Sequence, residues 1–119
     1  MTSAPTPREM LERELGRVEA RISWILSEGR TAFSDDSLAY DVAVVAIVRL
    51  AALFEDEKDR YGELLSSVTV AERRGVIVTR NIAAHHGYDA MDVEEFWVTM
   101  TRDVPALIGK IRQALDMDG

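Results

Sequence analysis

Apolar positions recur with helical spacing along most of the chain. Leu11, Leu15, Val18, Ile22 and Ile25 follow one another at steps of four, three, four and three, which lays one apolar stripe along a helix. Glu12, Arg13, Arg17 and Glu19 fall off that stripe. Thr6-Pro7-Arg8-Glu9 opens it with an N-cap threonine, a proline where a missing N–H costs nothing, and a glutamate at the third helical position. Gly29 is a suitable stop. The pattern predicts a first helix over roughly 7–28.

A second helix is predicted from Ser34-Asp35-Asp36, all good cap or first-turn residues, to about Tyr61, with Gly62 ending it. Its middle, Val42 to Val48, is apolar nearly all round. Its β-branched residues would suit a strand, but the apolar spacing continues through Leu50, Leu53 and Phe54, too long for one. A helix apolar on every side needs neighbours on more than one side, and one of them is expected to be a second subunit. Thr69-Val70-Ala71-Glu72 is another capping box and opens a third helix reaching about His86, with Gly87 as terminator. Asp92-Val93-Glu94-Glu95 opens the fourth, which buries Phe96, Trp97, Met100, Val104, Leu107, Ile108, Ile111 and Leu115. Pro105 interrupts it and predicts a kink or a short break near Arg102-Asp103.

Four helices with short connections specify an all-α, antiparallel four-helix bundle. Residues 1–5 are expected to fray and 6–116 to form one domain. No internal repeat or low-complexity tract divides the 119 residues. The chain contains no cysteine, which excludes a disulfide framework, a thiol nucleophile and a cysteine-ligated metal. No apolar run approaches the ~18 residues that span a bilayer. The first residues lack a basic start and an apolar segment, so a signal peptide is not expected. Together these predict a cytoplasmic protein without a membrane partner. The net charge of −7 argues against bulk attraction to nucleic acid, so any such role requires a locally basic site made by more than one chain.

The chemistry-bearing residues gather at Arg80-Asn81-Ile82-Ala83-Ala84-His85-His86-Gly87-Tyr88. Both histidines of the chain sit there, at the negative end of the third helix dipole, which favours protonated imidazole. Arginine grips phosphate through paired hydrogen bonds, and histidine moves protons near neutral pH. Arg80 with His85 or His86 therefore suits metal-free phosphodiester cleavage, with Asn81 orienting either partner. In a regular helix the histidines are rotated from Arg80 by about 140° and about 240°. They converge on one phosphate only if the helix ends early or a second copy faces the first. Spacing alone does not make these residues catalytic, since such groups at a helix end are more often solvated. A metal site from His85 and His86 with Asp89 or Asp92 is disfavoured, because adjacent histidines diverge and no i, i+4 histidine pair exists. Glu55-Asp56-Glu57, followed by Lys58-Asp59-Arg60, reads as a solvated face with local ion pairs. Trp24 and Trp97 read as core or interface anchors.

The segment from Arg74 to Leu115 resembles the HEPN superfamily, in particular HepT-like toxins. The specific match is Arg80, the polar Asn81, then His85 after four residues or His86 after five. Gly87-Tyr88-Asp89, Val93–Trp97 and Asp103-Val104-Pro105-Ala106-Leu107 also look like this family. The resemblance implies a homodimer in which two arginine–histidine motifs line an inter-subunit cleft and cleave RNA without metal or other cofactor. It further implies a nucleotidyltransferase antitoxin partner that adds AMP to a tyrosine, matched here by Tyr88. Arg80 to His85 keeps the family's arginine–histidine spacing and His86 to Tyr88 its histidine–tyrosine spacing, so no single histidine satisfies both. His85 is the favoured catalytic match. The alternative is a catalytically inactive HEPN-like dimerisation or protein-interaction module.

Overall fold

A computed structural model describes residues 3–55, 60–85 and 91–117. It is an all-α bundle, with no strand among the described residues. The helices are α1 (Pro7–Glu28), α2 (Leu38–Phe54), α3 (Val70–Ala84), α4 (Val93–Val98) and α5 (Val104–Met117). A single π turn, Thr99–Asp103, joins α4 to α5, so the two form one long last helix.

Helix α1 has the expected bounds. The Glu9 N–H donates to Thr6 Oγ1 at 3.1 Å while the Glu9 carboxylate accepts from the Thr6 N–H, which satisfies two donors that the helix itself leaves unpaired. Its buried residues are the five of the predicted stripe. Gly29 ends it at φ 89°, a left-handed value open to glycine without a Cβ clash, and its N–H donates to Ile25 O.

Helix α2 is shorter than expected at both ends. Its N-cap is Ser37, not Ser34, Asp35 or Asp36, and the Ser37 hydroxyl accepts from the Tyr40 N–H at 3.0 Å. Ser34 is instead committed to a turn, its carbonyl accepting from the Ser37 hydroxyl at 2.8 Å. The helix stops at Phe54, with Glu55 as C-cap, and does not reach Tyr61. From Glu55 to Arg60 every residue is charged, so the apolar stripe that would extend the helix ends at Phe54. Tyr61 is buried in the turn that follows, ahead of a short 3-10 turn at Glu63–Leu65.

Helix α2 is the centre of the bundle, packed against α1 and α3. Ala43, Ala46, Ile47, Leu50 and Ala51 are buried along it, whereas Val45 and Val48 are exposed. The three alanines let the neighbouring helices approach closely. Arg49, which breaks the apolar run, turns outward to Glu14 of α1 at 3.2 Å. Burial alone would raise the Glu14 carboxyl, but hydrogen bonds from Arg17 and Arg49 overcome it and hold the group below the ordinary carboxylate range.

Phe33, Tyr40, Phe96 and Trp97 form an aromatic cluster that closes the bundle beside the α1–α2 connection. Phe33 lies 5.7 Å from Tyr40, 5.8 Å from Phe96 and 5.3 Å from Trp97, and Tyr40 meets Phe96 edge-on at 5.1 Å. Trp97 is only partly buried here, and Trp24, at 37% exposure, lies outside the core.

The break expected near Arg102-Asp103 is the π turn, in which the Val104 N–H reaches Thr99 O. Pro105 has no N–H and its ring would strike the carbonyl four residues back, so the wider turn before it relieves the conflict. The Thr101 hydroxyl donates to Trp97 O at 2.6 Å, supplying a donor to a carbonyl in the distorted stretch.

Phe96 is fully buried and touches two other rings. Phe96→Ala is expected to destabilise the protein by about 3–5 kcal/mol, measured by denaturant unfolding. A loss below about 1 kcal/mol would show that the aromatic cluster does not hold the fourth helix in place.

Candidate functional site

Helix α3 carries Arg80, Asn81 and, at its exit, His85. Its start is fixed by the second capping box: the Thr69 N–H donates to the Glu72 carboxylate at 2.8 Å and the Glu72 N–H donates to Thr69 Oγ1 at 3.0 Å. Lys110 of α5 also donates to the Glu72 carboxylate, at 2.8 Å, and ties α3 to the last helix. The hydrogen bond from Lys110, followed by that from the Thr69 backbone, holds the Glu72 carboxyl below its ordinary range.

The helix buries fewer side chains than α1. Of its residues only Val76 and Ala83 are buried, while Val70, Val78 and Ile82 are exposed. It packs on α2, and between it and the π turn and α5 lies an open groove of about 580 Å³, with Gly75, Val76 and Thr79 on one side and Val104 and Leu107 on the other. Arg80, Asn81 and His85 do not line this groove, so it and the candidate chemistry are separate.

The helix ends at Ala84, two residues short of the expected His86. His85 is the C-cap, exposed, with φ −101° and ψ 81°, and its N–H donates to Ile82 O at 3.3 Å. The backbone therefore leaves the helical path at the histidine itself. The 140° rotation that separates Arg80 from His85 in a regular helix no longer fixes where the ring points, which meets the first of the two conditions for convergence. His86 and Tyr88, like the expected terminator Gly87, lie outside the described residues.

Arg80 projects toward the end of α2. Its Nε donates to Asn81 Oδ1 at 2.9 Å, and its Nη1 is paired with the Glu55 carboxylate. Asn81 thus accepts a hydrogen bond from the arginine beside it. Among the described residues His85 is not a partner of Arg80. Glu55 was not among the expected site residues. The acidic run it opens reads as a solvated face with local pairs, yet Glu55 reaches a helix distant in sequence. One signal was present in the helix dipole, since a carboxylate at a C-terminal helix end is unfavourable without a compensating cation. Arg73 also approaches this end of α2, with its guanidinium 5.5 Å from the Phe54 ring centroid and its Nη2 donating to Leu65 O at 3.4 Å.

Chemically, the site offers a cation preset by one amide and one carboxylate, and an exposed imidazole at a helix exit. That combination can bind an anionic oxygen and move a proton nearby. Among the described residues, no group of three histidine, cysteine, aspartate or glutamate side chains is arranged to hold a metal ion. No described helix is long and apolar enough to cross a membrane. Compared with known proteins, the chain matches no protein-family model, no curated protein and no solved structure.

The capping box at Thr69 is the main fixture of α3. Thr69→Ala is expected to cost about 1 kcal/mol and to speed amide exchange in α3 more than in α1. Equal acceleration in both helices would mean that α3 does not open separately. The lowered Glu72 carboxyl adds a pH signature: a depressed folded value contributes stability above the unfolded value, about 4.3, which is lost as pH falls through the folded one. The stability difference between wild type and Glu72→Gln should therefore be largest near neutrality and shrink below about pH 4. A difference independent of pH in thermal melts would rule the ion pair out as its source.

Proposed function

We propose that the protein is a metal-independent endoribonuclease toxin of the HepT-like type, acting in the cytoplasm as a homodimer and neutralised by a nucleotidyltransferase antitoxin. The observation that carries this reading is the placement of Arg80, Asn81 and His85 at the end of the third helix of an all-α bundle, with Asn81 orienting Arg80 and His85 exposed where the helix stops. In this role Arg80 binds the scissile phosphate and offsets the charge that builds on it. His85 or His86 moves the proton between the attacking hydroxyl or the leaving oxygen and solvent. Tyr88 is the residue that the antitoxin would modify with AMP. A phosphate-bearing group beside Arg80 would then block RNA by charge and bulk.

The second subunit is supported by the bareness of α3. Val78 and Ile82 are 48% and 41% exposed and one turn apart, so a copy packed on this face would cover them. It would also set two arginine–histidine motifs near one another, giving a local positive focus on a chain of net charge −7.

A second reading is favoured by two observations. Arg80 is already paired with a carboxylate, and the chain as a whole is acidic. Both suit a catalytically inactive HEPN-like module that dimerises or binds a protein partner.

The test is cleavage of single-stranded RNA by purified protein in the presence of a chelator. Arg80→Ala and the variant of the catalytic histidine are each expected to lower kcat/KM by about 10²–10⁴-fold, with His85→Ala the more damaging of the two histidine changes. Activity unchanged in Arg80→Ala, His85→Ala and His86→Ala removes the assigned site. A wild type that cleaves nothing and is a stable dimer favours the module.

A further inference from the structure

The Glu55–Arg80 contact has no role in the proposed cleavage, and the rest of the molecule does not require it. The bundle is held by apolar packing of α2 against α1 and α3, whereas Glu55 sits beyond the last turn of α2. Its backbone N–H makes only a long bond, 3.4 Å to Ala52 O. Its carboxylate lies at the negative end of the α2 dipole, so the charge on Arg80 is what makes that position tolerable. The two side chains are 25% and 41% exposed, so water and dissolved anions reach the pair. An ion pair so exposed is weak and is readily exchanged for a better one.

We propose that Glu55 is a specificity-determining competitor at Arg80, a tethered carboxylate that a strand carrying several phosphates displaces and a single phosphate does not. The proposal rests on Arg80 being the phosphate-binding group of the proposed function.

The chemistry is a competition between anions for one guanidinium. Guanidinium grips phosphate through two parallel N–H donors. Here Nε is committed to Asn81 and Nη1 to Glu55, while Nη2 has no partner among the described residues. An incoming phosphate oxygen can settle on Nη2 before anything is broken. The second bond forms only as the Glu55 carboxylate swings away. Glu55 is held beside Arg80 by the fold, at an effective concentration on the millimolar scale or above (~10⁻³ M). A lone inorganic phosphate below that concentration gains little by replacing it. A strand whose neighbouring phosphates and bases are held elsewhere on the protein meets Arg80 intramolecularly too, and a phosphate presented in this way can win. Glu55 thus sets a threshold that separates RNA strands from the phosphates and mononucleotides abundant in solution.

The experiment compares wild type with Glu55→Gln, which keeps shape and removes charge, and Glu55→Asp, which keeps charge and shortens reach. Asp36→Asn is the control for a plain change in net charge, because Asp36 is exposed and its carboxylate accepts only from the nearby Ser34 hydroxyl among the bonds described. Thermal melts establish that each variant is folded. The readouts are affinity for a short labelled single-stranded RNA, affinity for inorganic phosphate followed at the Arg80 side-chain Nε–H signal by NMR, and KM and kcat for RNA cleavage.

Glu55→Gln is expected to bind RNA about fivefold more tightly than wild type. KM should fall by a similar factor with kcat unchanged, since a ground-state competitor acts on binding alone. Phosphate binding at Arg80, undetected in wild type at low millimolar concentration, should appear in Glu55→Gln. Glu55→Asp should follow Glu55→Gln, and Asp36→Asn should stay near wild type. Glu55→Gln no tighter than Asp36→Asn, or wild type binding inorganic phosphate at Arg80 as well as Glu55→Gln does, overturns the proposal. The ribonuclease reading fails separately. If Glu55→Gln tightens binding in an Arg80-dependent way and no variant cleaves RNA, the competitor stands and catalysis falls. If cleavage depends on Arg80 and Glu55→Gln changes nothing, the competitor falls and catalysis stands.

Discussion

The fold depends on the burial of α2. Ala43, Ala46, Ile47, Leu50 and Ala51 give it a small, apolar surface that α1 covers on one side and α3 on another. The two contacts are unequal in what they draw from the partner helix. α1 contributes five buried side chains, four of them fully enclosed, while α3 contributes Val76 and Ala83. Since burial is roughly proportional to stabilisation, α1 and α2 form the firm part of the molecule and α3 the loosely attached part. The candidate site is on the loosely attached helix.

That placement makes the polar contacts of α3 more consequential than surface contacts usually are. Thr69, Glu72 and Lys110 fix one end of it, and Glu55 meets it toward the other. Each contact is individually small. They matter because few apolar contacts compete with them. The α2–α3 relationship is therefore set by packing at Val76 and Ala83.

The parts of the molecule legible in the sequence were those coded locally. Thr6 with Glu9 and Thr69 with Glu72 marked helix starts, and the stripe from Leu11 to Ile25 marked a buried face. The end of α2 at Phe54 is hidden in the sequence because Tyr61 and Gly62 resemble the end of a helix, although the charged residues before them offer no apolar stripe. Ser37 does not stand out as the cap, because Ser34 and the two aspartates offer the same capping chemistry a few residues earlier. At the site, Arg80 and His85 stood out by residue type and Asn81 by adjacency. Glu55 did not, because its importance comes from a contact between helices that are separated by a connection of charged residues and a 3-10 turn. No local pattern records which of several acidic residues that connection will leave beside Arg80.

The π turn before Pro105 has a consequence for the phase of the last helix. Phe96, Met100, Val104 and Ile108 are all buried, although they are spaced by four residues three times in succession. In an unbroken α-helix each such step overshoots a full turn by about 40°, so after three steps the stripe would have wandered by about 120°, a third of the circumference. The π turn has more residues per revolution and takes part of that drift back. It works as a phase corrector between two half-helices, one facing the aromatic cluster and the other facing α1. Deleting a single residue within Thr99–Asp103 would leave each half able to form. It would convert the wide turn into an ordinary α turn, which advances about 100° per residue, and give up the correction that keeps the two buried rows in line.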